Sequence, residues 1–474
     1  RASLKAMSEP TLRPTIFVLF GATGDLAKRM VLPALYQLDV AGLLPDRWRL
    51  IGSGRDGFTA DRFLAHVHRS IAMFGPPLRQ TQWDRFAGRL RFASGDFTAG
   101  GHGALVAEIA DARAELGSDS QLVHYLAVPP AAFGPLTISI GDHDLARGVR
   151  IVYEKPFGTS QSTFAQLDEI VHKVFDESQV YRIDHFLSKE ATQDLHVVRF
   201  ANGVFADMWG RHRVASVQID CPETLGVADR APFYDSTGAV LDMLATHLLQ
   251  VAAEVAMEPP ASLGPNDMIT ARESVIASFR PFDPADVVLG QYDTYQDLDG
   301  VRPGSRTETF VAATLWVDTP RWKGVPFHLR TGKRMHRTAQ SVNLVLAPVD
   351  GPFAASPREA NVLRFDLGGA GDIELTMSTK TPGIGLELDT FTTSLTPPDT
   401  DGTRDPLPPY VRLLHDVLAG DRSLVTRPDG LADAWEVVQP ILDLRRRPLP
   451  YALGSWGPHA ADRLVAPSRW LTRD

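Results

Sequence analysis

Apolar and polar positions recur with two different periods along this chain, and the change of period divides it. Residues 15–20, TIFVLF, form a short apolar run of the kind that fills a strand buried on both faces. A glycine-containing turn, GATGDLAKR, follows. An apolar-periodic stretch from Leu26 to Leu38 then predicts a helix, with Pro33 expected to kink it or to lie in its first turns. RLIGSG ending at Gly54, LVHYLAVPP over 122–130 and VRIVYEKP over 149–156 read as three further strands. DRFLAHVHRSIAMF and ALVAEIADARAEL between them have helical spacing.

Strands alternating with helices predict a Rossmann-like, doubly wound parallel sheet. After about residue 200 the period shortens to two. In VASVQIDC, Val217, Ile219 and Cys221 share one face, and Ser216, Gln218 and Asp220 the other; DIELTMSTK alternates likewise. FVAATLWVD, PFHLRTGK, SVNLVLAPV and NVLRFDL add strands. One-sided alternation predicts a mostly antiparallel sheet with one covered face. The fold class is therefore α/β plus α+β. Residues 1–182 are the Rossmann-like unit, and residues 183–474 a larger α+β domain on a mostly antiparallel sheet.

Composition narrows the function. A chain of 474 residues suits two domains, and 44% apolar with 22% charged residues is ordinary for a globular protein. No run approaches eighteen uninterrupted apolar residues, so no membrane span is expected, and the cytoplasm is the expected compartment. Cys221 is the only cysteine, which excludes an internal disulfide framework and a cysteine-based metal site. A net charge of −9 disfavours nucleic acid as a partner. Only eight of the 48 basic residues are lysines. Arginine serves wherever any positive charge will do, so a lysine inside a motif gains weight.

Gly21 and Gly24 stand directly after the first strand, where backbone without a Cβ can approach a pyrophosphate and a helix N-terminus supplies free N–H groups. The segment Gly21, Thr23, Gly24, Asp25, Leu26 is thus a candidate dinucleotide cradle, although G-x-x-G alone also describes a plain strand–helix turn. GSGRDG at the end of the second strand offers Arg55 for a ribose 2′-phosphate, which points to NADP and leaves NAD use open. Lys155, in YEKPFG at the carboxyl end of a strand, lies where cofactor and substrate meet in such folds; it also reads as a surface lysine before a turn.

The run YRIDHFLSKE holds Asp184, His185 and Lys189. His185 and Lys189 are four apart, so on a helix they share a face and suit a phosphate, while Asp184 is placed to orient a base. The same run also reads as a solvated helix start with an internal ion pair. His247 lies beside the apolar face of Leu244, Leu248, Val251 and Val255, where burial favours a neutral, proton-accepting imidazole or simply a core histidine. Asp242 is five residues earlier, off that face of an α-helix.

Together these segments resemble the glucose-6-phosphate dehydrogenase family. RIDHFLSKE matches its R-I-D-H-Y-L-G-K-E signature, and GATGDLAK, EKPFG, THLLQ, RFANGVFADMW, GVPFHLRTGKR and MSTKTPG echo other motifs in order over about residues 15–385. The resemblance implies a dinucleotide-binding first domain and a second domain for substrate binding and dimer contact. It implies hydride transfer from C1 of glucose 6-phosphate to NADP. His247 would be the general base and Asp184 its carboxylate partner. His185 and Lys189 would hold the 6-phosphate, and Lys155, Glu223, Asp242 and Lys333 the sugar hydroxyls. It implies a homodimer or homotetramer, and no metal.

Phe186 replaces the family's tyrosine, Ser188 its glycine, Thr246 its asparagine, and Asp366 stands where many relatives carry a glutamine. These departures suggest two other readings: a same-fold dehydrogenase for an unphosphorylated or modified hexose, and a catalytically silent regulatory relative.

Overall fold

A computed structural model describes residues 12–54, 58–98, 100–354, 359–368, 371–396, 407–444 and 446–473. The chain forms two compact units, residues 1–185 with 408–427 and residues 186–407 with 428–474. The crossing after His185 lies three residues beyond the expected one, and residues 408–427, expected in the second domain, pack in the first. Side chains of the first unit fix this segment. The Gln121 amide donates to the Leu418 carbonyl at 3.1 Å, and Arg150 donates to the Val417 and Leu418 carbonyls at 2.7 Å each. Those carbonyls lie in the last turn of the helix Pro409–Ala419, where carbonyls lack the usual i+4 partner and take other donors. Val411, Leu414 and Val417 of that helix join the core of the first unit.

In the first unit β1 (Thr15–Phe20), β2 (Trp48–Gly54), β3 (Leu90–Ser94), β4 (Gln121–Leu126), β5 (Arg150–Tyr153) and β6 (Val180–Arg182) form one parallel sheet in the order β3-β2-β1-β4-β5-β6. β1 and β4 are buried at every position, as central strands of a helix-covered parallel sheet must be. The order reverses between β1 and β4, the switch point where such sheets take ligands. Pro33 sits in the first turn of the helix Leu32–Ala41, behind a wide turn over Ala27–Val31 in which the Leu32 N–H reaches back five residues to the Ala27 carbonyl. Proline brings no N–H and crowds the carbonyl four residues back; the wide turn accommodates it.

In the second unit β7 (Val214–Pro222), β8 (Val287–Tyr292), β9 (Phe310–Leu315), β10 (Phe327–Gly332), β11 (Ser341–Leu346), β12 (Val362–Asp366), β13 (Ile373–Lys380), β14 (Leu388–Ser394) and β15 (Leu449–Tyr451) form a sheet ordered β14-β13-β12-β11-β7-β10-β9-β8-β15. Its pairings are antiparallel except β7 with β10 and β8 with β15. The one-sided alternation read from β7 does not hold, since Gln218 and Asp220 are as buried as Val217 and Ile219. Segment 469–471 engages the polar face: Gln218 donates to the Arg469 carbonyl at 2.9 Å and accepts from the Leu471 N–H at 3.0 Å. Asp220 accepts from Arg330 Nε at 2.8 Å, and that guanidinium lies over the Trp470 ring at 4.3 Å.

The helical stretch Ala231–Ala256 is long and apolar enough to suit a membrane by length and composition alone, although charged and polar residues interrupt it. Most of it is buried inside the fold, as befits the core helix of the second unit.

Asp220 and Arg330 are both fully buried, so removing one strands the other charge. Asp220→Ala should lower stability by about 3–5 kcal/mol. A urea unfolding midpoint equal to that of the parent would rule the pair out as a structural element.

Candidate functional site

Each unit carries its own share of the sequence-predicted residues. In the first unit Gly21 follows β1 with φ +72°, and a Cβ there would lie 2.3 Å from the Ala127 carbonyl oxygen beyond β4. Only glycine lets the chain pass so close at the switch point. The Gly24 N–H closes the turn on the Gly21 carbonyl at 2.8 Å, and the helix starts at Asp25 and Leu26. Asp25 pairs with Arg29 at 2.7 Å on the surface. Thr23 faces the end of β2, where a Cβ on Gly54 would lie 3.6 Å from its hydroxyl. This backbone cradle, with a helix start behind it, fits a dinucleotide pyrophosphate. Arg55 lies outside the described residues.

β5 leads into Glu154 and Lys155, and the Lys155–Pro156 bond is cis. Glu154 is buried and accepts a 2.5 Å hydrogen bond from the Tyr125 hydroxyl on β4, with a second from Tyr410 of the returning helix. Burial pushes the Glu154 carboxyl up to about 7; the two tyrosines and Lys155 pull it down, and Asp184 pushes it up. Asp184 is buried just past β6, and the His185 ring stacks on Tyr410 with centroids 6.2 Å apart.

The expected helix across His185 and Lys189 is absent. Residues 185–188 form a turn, and Lys189 caps the helix Glu190–Ala201 in extended conformation. The turn is held by side chains of the helix that follows: Thr192 Oγ1 donates to the Phe186 carbonyl at 2.7 Å and the Gln193 side-chain amide to the Leu187 carbonyl at 2.9 Å. Phe186, Leu187 and Ser188 are buried. Lys189 donates to Gln340 Oε1, and its ammonium lies over the Phe186 ring, 4.1 Å from the centroid. The same ring stacks on His247 at 4.4 Å and 26°.

His247 is fully buried, and with Asp242 it lies on a π-helix, Val240–Leu248. The Leu249 N–H reaches the Leu244 carbonyl, five residues back. Residues five apart are therefore one wide turn apart, and the α-helical argument that separated Asp242 from His247 fails here. Lys333, at the end of β10, donates to Glu223 Oε1 at 2.6 Å and lies 3.5 Å from Asp242 Oδ2. Glu223, Asp242 and Lys333 thus converge as expected. Asp366 instead caps its own loop, accepting from the Gly368 N–H at 2.8 Å. Glu154, Tyr410, Gln340 and the stacking role of Phe186 escaped the sequence reading; only EKP, adjoining the glycine-turn domain, hinted at Glu154.

A doubly wound unit with a glycine turn at its switch point, in one chain with a cluster of imidazole, carboxylates and ammonium groups, has the make-up of a nicotinamide-dependent dehydrogenase. Residues 18–194 match the family model for the glucose-6-phosphate dehydrogenase NAD binding domain, and residues 196–471 that for the C-terminal domain. The chain is 37% identical over 476 residues to glucose-6-phosphate 1-dehydrogenase of Mycolicibacterium smegmatis, covering 95% of this chain and 96% of that one. The crystal structure of glucose-6-phosphate 1-dehydrogenase from Mycobacterium avium superposes with a TM-score of 0.85 at 35% identity, over 96% of this chain and 98% of that one. A glucose-6-phosphate dehydrogenase in complex with its substrate glucose-6-phosphate gives 0.90 at 27% identity, over 98% and 99%. The chain belongs to the glucose-6-phosphate dehydrogenase family.

Glu154 makes stability depend on pH. Its folded value, about 7, lies above the unfolded carboxylate value, so the folded state binds more protons between about pH 4.5 and 7. Stability falls as pH rises through that window, by about 3 kcal/mol in total. Glu154→Gln, which mimics the protonated acid, should melt higher than the parent at pH 8 and no higher at pH 4, below the unfolded carboxylate value. Equal gaps at both pH values would mean that Glu154 does not titrate there.

Proposed function

We propose that the protein oxidises glucose 6-phosphate at C1 to 6-phosphogluconolactone with NADP as hydride acceptor. His247 takes the proton of the C1 hydroxyl, and Asp184 orients the imidazole and stabilises the imidazolium that forms. Lys189 and His185 hold the 6-phosphate. Glu223, Asp242 and Lys333 bind sugar hydroxyls, joined by Lys155, which also serves the cofactor. Gly21, Thr23, Gly24, Asp25 and Leu26 hold the dinucleotide, with Arg55 toward a 2′-phosphate. NADP, when bound, supplies the acceptor for the hydride that leaves C1 as the carbonyl forms.

The observation that carries this reading is the convergence inside the second unit. Glu223 and Asp242 flank Lys333, Asp242 shares a wide turn with His247, and His247 stacks on the ring that carries Lys189. With family membership along nearly the whole chain, this favours the phosphorylated sugar over an unphosphorylated one and over a silent regulator. Asp366, one of the departures behind those alternatives, is spent on its own loop. We place the enzyme in the cytoplasm as a homodimer or homotetramer; the exposed apolar residues Ile384 and Leu386 in the turn between β13 and β14, and Phe391 on β14, suit a second copy.

With NADP and glucose 6-phosphate, His247→Asn should lower kcat by roughly 10²–10⁴-fold. Lys189→Ala should raise KM for the sugar phosphate and leave KM for glucose little changed. Parent-like turnover in the first variant removes His247 as base, and a parent-like KM in the second removes Lys189 from phosphate binding.

A further inference from the structure

Phe186 occupies a position that neither the proton transfer nor the phosphate contact requires it to fill. Its ring is buried, 2% exposed, and its carbonyl is tied to the helix start by Thr192 Oγ1 at 2.7 Å and the Lys189 N–H at 3.4 Å. The backbone at this position is therefore fixed before its ring meets anything. The ring then meets two functional groups: His247 stacks at 4.4 Å and 26°, and the Lys189 ammonium lies 4.1 Å from the centroid. Gln340 Oε1, from the segment before β11, accepts from the same ammonium.

A stacked imidazole keeps its plane, since tilting it loses contact along a whole face. An ammonium over a π-face is attracted by the ring quadrupole, most strongly where water is excluded. One aromatic side chain thus sets both the plane of the imidazole and the position of the ammonium. Tyrosine would preserve these faces, whereas an aliphatic residue would fill volume without offering a quadrupole.

We propose that Phe186 is a positioning residue whose ring face couples the orientation of the His247 imidazole to the placement of the Lys189 ammonium. The proposal rests on the reading of His247 as base and Lys189 as phosphate ligand, and it adds that the phosphate cation and the base are placed through one ring.

The test compares Phe186→Leu with Phe186→Tyr in the full-length enzyme. The leucine variant should lose about 10- to 100-fold in kcat, since a misplaced base is costly. Its KM for glucose 6-phosphate should rise about 2- to 30-fold, the equivalent of losing one cation–π contact. KM for NADP should stay within about 2-fold, and the tyrosine variant should restore both parameters. A purely structural role would instead lower the melting temperature without splitting the two KM values, and that result overturns the proposal.

A second readout is independent of turnover. In protein carrying ¹³C-labelled histidine, the His247 ring resonance, identified by its loss in His247→Asn, should move downfield in Phe186→Leu as the stacked ring is removed. It should stay in place in Phe186→Tyr. An unmoved resonance in the leucine variant overturns the proposal even if the enzyme is active. A moved resonance in a protein that does not oxidise glucose 6-phosphate leaves the ring coupling standing and discards the substrate reading.

Discussion

Glu308 sets the start of the helix that carries Asp242 and His247. Its Oε1 accepts the Val240 N–H at 3.0 Å, and its backbone carbonyl accepts the Ala239 N–H at 2.9 Å. Gly238 stands against it with φ +64°, and a Cβ there would lie 2.2 Å from Glu308 Oε1. The carboxyl group takes the space that a side chain would fill and satisfies an N–H that a helix start leaves orphaned. The helix breaks at Gly238 and restarts at Val240 with the wide i→i+5 turn. The meeting of Asp242, Lys333 and Glu223, and the place of His247 one turn along, follow from that restart.

Further along the same helix the fold uses charge rather than shape. Glu254 is seven residues past His247, and His196 seven past Lys189, two turns on in each case. Glu254 bonds to His196 and to Arg272 of the helix Pro265–Ile276, and all three side chains are buried. Burial alone would raise the Glu254 carboxyl, but Arg272 and His196 outweigh it and hold it down to about 2. A buried cluster of this kind is a poor source of net stability and a good source of register, because any slip leaves a charge unpaired. It fixes the helix led by Lys189 against the helix led by His247.

Local patterns in the sequence carried the fold class and much of the site. TIFVLF and GATGDLAK identified the first strand and its turn because buried parallel strands are apolar throughout and glycine is required where a Cβ would strike Ala127. Glu223, Asp242 and Lys333 came from family resemblance, since their three segments are far apart in the chain and meet through sheet register. What stayed illegible depends on tertiary partners. Nothing near residues 240–248 encodes a π-turn, because the group at its start is Glu308, 68 residues away. His185 and Lys189 have helical spacing, yet Thr192 and Gln193 close a turn on the backbone between them. The polar face of β7 read as solvated because its cover, residues 469–471, lies some 250 positions downstream.

Two buried carboxyls make the stability of the fold depend on pH. Burial pushes both Glu154 and Glu308 up to about 7, one in each unit. Each therefore costs folding free energy that grows as pH rises from about 4.5 to 7, where the folded protein must give up a proton that the unfolded chain has already lost. Substituting either carboxyl by a neutral isostere would relieve the pH penalty. At Glu308 it would also remove a charged acceptor from a helix start, where negative charge is favourable, so the two positions differ in what their acidity is for. At Glu154 the neighbours are Tyr125, Tyr410 and Asp184, and its charge adds to the field at the proposed partner of the base. There the cost in stability falls beside the proposed partner of the base; at Glu308 it falls on the turn that carries His247.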